Sequence, residues 1–153
     1  MKNDNDVEDI LMKKLVLFGL VCILLLPLLI VGCGGGGGAQ TIEISLDDFR
    51  TENNIFKSVE ISHSGSLTVK LGSNPTTGYG WEEANISNTA VITQASREFV
   101  GPENTGMVGA GGTDIWIFDS KNVGNATIKF NYSRPWEGGE KGTFTLTINL
   151  TVK

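Results

Sequence analysis

Residues 143–152 read Thr-Phe-Thr-Leu-Thr-Ile-Asn-Leu-Thr-Val. Phe144, Leu146, Ile148, Leu150 and Val152 alternate with Thr or Asn along the whole stretch. Side chains on a strand point to opposite faces in turn, so this pattern is a strand with one dry face and one wet face. Residues 125–132 repeat it with Ile128, Phe130 and Tyr132. Residues 114–119, DIWIFD, form an apolar run that reads as a strand buried on both faces or at its edge. Shorter strand signals stand at 41–46, 58–62, 66–71, 80–84 and 90–100, separated by Gly, Asn, Ser or Pro. No helical period stands out. Seven to eight strands with short turns predict an all-β, antiparallel sandwich of two sheets over residues 41–153, with a barrel as the competing closure.

Composition narrows the function. The chain has 153 residues, 19% of them charged and 40% hydrophobic, enough for one folded domain with a core. Its formal net charge of −5 argues against nucleic acid as a partner, because binding the phosphate backbone needs a basic face. No internal repeat and no second domain are visible.

The first 32 residues read differently. Residues 15–31, LVLFGLVCILLLPLLIV, carry no charge and follow Lys13 and Lys14. Ile30-Val31-Gly32-Cys33 closes the run and resembles a lipobox, in which the cysteine is lipidated and the chain is cut before it. A signal peptide over 1–32, lipidation at Cys33 and a Gly-rich tether over 33–40 are therefore expected. The chain would be exported and held by its lipid at a membrane, on the cell surface or the periplasmic face. A short transmembrane anchor is the alternative. The acidic stretch before Met12 leaves Met12 as a second possible start. Beyond residue 32 the one cysteine is Cys33, so the folded part has neither a disulfide nor a thiol nucleophile.

Three connections are chemically unusual. If strands 41–46, 66–71, 79–84, 90–100, 113–119, 125–132 and 141–152 each reverse direction, connections 72–78, 101–112 and 133–140 fall at the same end of the sandwich. In the first, Asn74-Pro75-Thr76-Thr77-Gly78-Tyr79, Pro75 fixes its own φ and Gly78 can turn left-handed. Two stiff threonines between them make a preorganised, hydroxyl-rich loop, although a plain turn needs no other reading. The second ends in Gly109-Ala110-Gly111-Gly112, where backbone can approach a partner closely. A phosphate cradle is disfavoured, since no Gly-Lys-Ser/Thr and no helix follow; a bland flexible loop stays open. The third holds Arg134-Pro135-Trp136. Trp and Arg are the residues most enriched among binding hot spots. The competing reading folds Trp136 back onto the sandwich edge with Arg134 stacked on it.

NPTTG before an aromatic, GxGG before an apolar strand and RPW before the last long strand together resemble the chagasin-type family of cysteine-peptidase inhibitors. The three stand in the family's order over roughly residues 41–153. The resemblance implies an immunoglobulin-like sandwich, acting as a monomer, that plugs the cleft of papain-like cysteine peptidases. It places Thr76 and Thr77 near the peptidase thiolate and imidazolium, the 109–112 backbone in the substrate cleft, and Arg134 and Trp136 against its far side. A surface adhesion or ligand-binding module sharing only the fold is the other candidate. Enzyme chemistry has little support, and no cofactor or metal is expected. His63 lies in a predicted turn, and Asp47-Asp48 and Glu82-Glu83 read as solvated strand ends rather than acid/base partners.

Overall fold

The computed structural model describes residues 38–102 and 109–153. The signal-like segment, Cys33, the tether up to residue 37 and loop residues 103–108 lie outside the described residues. Gly35–Lys153 forms one compact unit. Nine strands occur among the described residues: β1 (Ala39–Ile44), β2 (Asn54–Ile61), β3 (Ser66–Ser73), β4 (Gly80–Trp81), β5 (Asn85–Ile86), β6 (Ile92–Val100), β7 (Gly112–Ser120), β8 (Gly124–Ser133) and β9 (Phe144–Val152). They form two sheets, in the orders β1-β3-β7-β6 and β2-β9-β8-β4, with β5 also pairing β8. This is the sandwich that the alternation predicts.

Alternation sets the packing. On β9, Leu146, Ile148, Leu150 and Val152 are buried, as are Ile128, Phe130 and Tyr132 on β8. From the facing sheet, Leu67, Val69, Leu71, Trp116 and Phe118 meet them, with the Trp116 and Phe130 rings edge to face at 5.0 Å. The run 114–119 is one-faced rather than buried throughout. Trp116 and Phe118 point inward, whereas Ile117 is exposed on the outer face.

Directionality needs a correction. The strand at 58–62 is longer than the sequence pattern indicates, spanning Asn54–Ile61, and it counts as a full reversal. Strands 41–46 and 66–71 therefore do not oppose each other: β1 runs parallel to β3, and β2 runs parallel to β9. From β3 onward the direction alternates once β4 and β5, which both run antiparallel to β8, are taken as one strand, so 74–79, 101–111 and 134–143 do share one end. With β2 restored to the count, the connection 45–53 joins them there.

That connection holds an unforeseen helix, α1 (Leu46–Thr51). It is too short to display a helical period and is built by its cap. Ser45 Oγ accepts from Asp48 N at 3.2 Å, and the Asp48 carboxylate accepts from Ser45 N at 2.8 Å. This reciprocal capping box satisfies the first turn. Asp47 and Asp48 are thus first-turn residues at the positive helix end, not strand ends. The Ser45 hydrogen bonds hold the Asp48 carboxyl below its ordinary value. Phe49 projects from α1 into the core and is fully buried.

The strand expected at 80–84 shrinks to Gly80–Trp81, and a second short piece follows at Asn85–Ile86. Arg97 explains the gap: its guanidinium donates to the Trp81 carbonyl at 2.7 Å, to Glu83 at 2.9 Å and to the buried Asp114 at 3.2 Å. The same group lies 4.8 Å above the Trp116 ring. A backbone carbonyl committed to a side chain is lost to a strand ladder.

All buried apolar side chains among the described residues lie between Ile44 and Val152, and every strand finds its neighbours within 39–153. Residues 38–153 therefore contain what folding of this unit requires.

Candidate functional site

Asn74 organises the first loop. Residues Pro75–Thr77 form one 3₁₀ turn with Asn74 as its cap. Asn74 Oδ1 accepts from Thr76 N at 3.2 Å and from Thr76 Oγ1 at 2.6 Å. Thr77 Oγ1 donates to the Asn74 carbonyl at 2.7 Å. Gly78 closes the turn at φ 80°, a left-handed conformation that favours glycine. Pro75, Thr76 and Thr77 are exposed. Both threonine hydroxyls spend their proton on Asn74, so what they offer outward is acceptor capacity.

Two further bonds fix this turn to its surroundings. Asn74 N donates to Tyr132 Oη at 3.0 Å, anchoring the loop to β8 in the opposite sheet. Asn74 Nδ2 donates to the Gly109 carbonyl at 3.0 Å. The first and second loops are joined directly through one side chain.

The glycines of the second loop do different jobs. Gly109 is left-handed at φ 88° and exposed. Gly111 and Gly112 make room for the scaffold instead. A Cβ on Gly111 would stand 2.9 Å from the Ser73 carbonyl, and one on Gly112 would meet the Phe99 ring at 2.6 Å. Ala110, between them, is half-buried.

The third loop leans on the first. A Cβ on Gly78 would lie 2.7 Å from Trp136 Cη2, so the absence of a side chain at Gly78 seats the indole. Trp136 still keeps 50% of its surface exposed. It is neither folded into the edge nor free. The Arg134 guanidinium lies 4.5 Å over the Tyr79 ring and 5.6 Å from the Trp136 ring, inside cation–π range. Pro135 is exposed between them. Below, Tyr79 stacks on Tyr132 at 5.6 Å, Tyr132 meets Trp81 at 5.0 Å, and Trp81 meets Phe49 at 5.1 Å. An unbroken aromatic column runs from the helix to the loop tip, which explains why an aromatic follows NPTTG.

The hairpin 134–143 is latched to this column. Tyr79 Oη donates to the Glu140 carboxylate, and Arg134 N donates to the Glu140 carbonyl at 2.8 Å. The Tyr79 hydrogen bond holds the Glu140 carboxyl below its ordinary 4.5 and raises the Tyr79 hydroxyl above its ordinary 10.0. A depressed carboxyl stabilises the fold above its unfolded value and loses that contribution as pH falls through its folded value. The latch is therefore expected to hold from neutral pH down to about 4.5 and to loosen below it. Trp136 fluorescence during an acid titration reads this out, and Glu140→Gln should abolish the acid step.

Sequence reasoning placed the three loops together and missed α1. Its signal was Ser45-x-x-Asp48, an acidic variant of the capping box, ahead of Phe49. His63 is exposed in the turn after β2, away from this end.

A sandwich with a preorganised turn, a close-packed glycine strand and a half-exposed tryptophan at one end defines a loop-presenting binding protein. Comparison with known proteins gives the family. Residues 60–148 match the model of the Chagasin family peptidase inhibitor I42, and the chain belongs to that family, whose members are inhibitors rather than enzymes. Amoebiasin-2 of Entamoeba histolytica is 31% identical over 103 residues, covering 67% of this chain and 83% of its own. Chagasin of Trypanosoma cruzi is 30% identical over 88 residues, covering 55% of this chain and 78% of its own. In fold, the chain resembles the cysteine protease inhibitor EhICP2 from Entamoeba histolytica, with a TM-score of 0.60 at 24% identity, covering 75% of this chain and 97% of that one. It also resembles PbICP-C, solved in complex with falcipain-2, with a TM-score of 0.55 at 15% identity, covering 76% of this chain and all of that one.

Proposed function

We propose that this chain is a reversible, tight-binding inhibitor of papain-like cysteine peptidases that fills the catalytic cleft with the loops at 74–79, 109–112 and 134–136. The observation that carries this reading is the bridge through Asn74, which locks an exposed threonine turn to the Gly109 backbone. A loop already fixed in shape loses little entropy on binding. A papain-like site holds a thiolate–imidazolium pair. Thr76 and Thr77, their protons already used, would accept from the imidazolium and offer the thiolate no carbonyl to attack. The exposed Gly109 backbone would enter the narrow cleft, while Trp136 and Arg134 brace its wall.

Titration of residues 38–153 against papain, following a small fluorogenic substrate, tests this. Stoichiometric loss of activity with the inhibitor recovered uncut supports it. Full activity at micromolar inhibitor, repeated with two other papain-like peptidases, would favour the adhesion or ligand-binding module. Replacing Thr76 and Thr77 together with Phe should raise the inhibition constant at least tenfold while Tm changes little, because both side chains already face solvent. Unchanged inhibition would remove this loop from the interface.

Export and lipidation at Cys33 belong to the same proposal. The lipobox-like end of the apolar run supports them, and mass spectrometry of the mature N-terminus tests them. A diacylglyceryl adduct on Cys33 is expected; an uncleaved N-terminus would favour the transmembrane anchor.

A further inference from the structure

The loop end carries a second exposed aromatic, built the same way as Trp136. Phe99 ends β6 beside the loop, where β6 and β7 pair Phe99 with Asp114 and Val100 with Thr113. Gly112 in turn pairs with Ser73, one residue before the NPTTG turn. The Phe99 ring lies across Gly112, whose Cβ would stand 2.3 Å from the Val100 carbonyl and 2.6 Å from Phe99 Cζ. As Trp136 sits on Gly78, so Phe99 sits on Gly112. Gly78 leaves space for the indole alone and Gly112 for both the Val100 carbonyl and the Phe99 ring, and each ring stays about half exposed, at 50% and 47%.

Phe99 is left about half uncovered. Its cross-strand partner Asp114 and its near neighbour Arg97 are engaged with each other at the inner side of β6. The short strands β4 and β5 leave this corner of the sandwich without an opposing layer. An apolar ring in water contributes nothing to folding on its exposed half, whereas the same surface buried against a partner adds affinity. Aromatic residues are enriched where interfaces exclude water.

We infer that Phe99 is a second aromatic anchor for the peptidase, gripping the cleft rim on the side of the 109–112 loop opposite Trp136. This rests on the inhibitor reading. The two rings would straddle the inserted loops, so that the inhibitor is held across its width and not by Trp136 alone. The partner surface would be an apolar rim of a papain-like peptidase.

The test uses papain and residues 38–153, which lack both cysteines of the chain. Phe99→Ala should raise the inhibition constant about tenfold, mostly through faster dissociation, with the wild-type protein inhibiting in parallel. An environment-sensitive dye on Phe99→Cys provides a readout besides inhibition. Its emission should shift to the blue and saturate at one equivalent of papain. The same dye on Val123→Cys, exposed in the turn between β7 and β8 at the opposite end, should stay silent. If the wild-type protein inhibits while Phe99→Ala matches it, or the dye at 99 does not respond, the anchor is overturned and the inhibitor reading stands. If the wild-type protein leaves papain and two related peptidases active, both fall.

Discussion

Trp136→Ala is expected to weaken inhibition of papain by about 2 kcal/mol, roughly thirtyfold, with Tm shifted by no more than a few degrees. The two effects separate because of where the indole sits. Half of its surface faces solvent, and its buried half rests on Gly78 rather than in the core. Removing it leaves the column from Tyr79 down to Phe49 intact, and Arg134 keeps its stack on Tyr79. What is lost is a broad, rigid contact surface, already ordered before the partner arrives. Inhibition constants and thermal melts on the same preparations check this. A large fall in Tm would show that Trp136 is a core residue and that its loss acts through folding.

Phe49→Ala should act the opposite way, with a loss of about 3–5 kcal/mol in stability. Phe49 is fully buried, 5.1 Å from Trp81 and 5.6 Å from Phe144, at the foot of the aromatic column. Alanine there leaves a cavity walled by large flat rings, and such rings cannot close it without tilting. Urea denaturation measures the loss, and Phe49→Leu should recover part of it. Protein that remains folded should still inhibit, because Phe49 packs on Trp81 and Phe144 in the core. A Phe49→Ala protein as stable as wild type would mean that α1 is an ornament and that the loop end is supported from elsewhere.

Much of the fold is legible in single strands. The alternation at 143–152 and 125–132 is a property of each strand alone and needs no partner to be read. The helix escapes the same reading because six residues make too short a run for a period of 3.6. Treating 58–62 as a minor strand concealed the fourth connection at the loop end, since dropping one reversal assigns 45–53 to no end in particular. The strand expected at 80–84 failed for a different reason. Arg97, 16 residues away, takes the Trp81 carbonyl that the local pattern assigns to a ladder.

The loop motifs show the same division. Order and residue type identify the three loops, because Pro, Gly and Thr restrict their own backbone wherever they occur. What those residues do depends on distant neighbours. Asn74 bridges through Nδ2 to a carbonyl 35 positions away, while its Oδ1 and its own carbonyl take the threonine protons. Gly111 and Gly112 are glycines because the Ser73 carbonyl crowds one and the Val100 carbonyl and Phe99 ring crowd the other. The sequence by itself determined a β-sandwich, the three chemically distinct loops and the family they resemble, for these follow from local periodicity and backbone restriction. Only the tertiary structure decided that a helix closes the loop end, that an aromatic column supports Trp136, and that Phe99 stands exposed beside the second loop. Each of these is set by contacts between residues far apart in the chain, and exposure is a property of what the rest of the fold leaves uncovered.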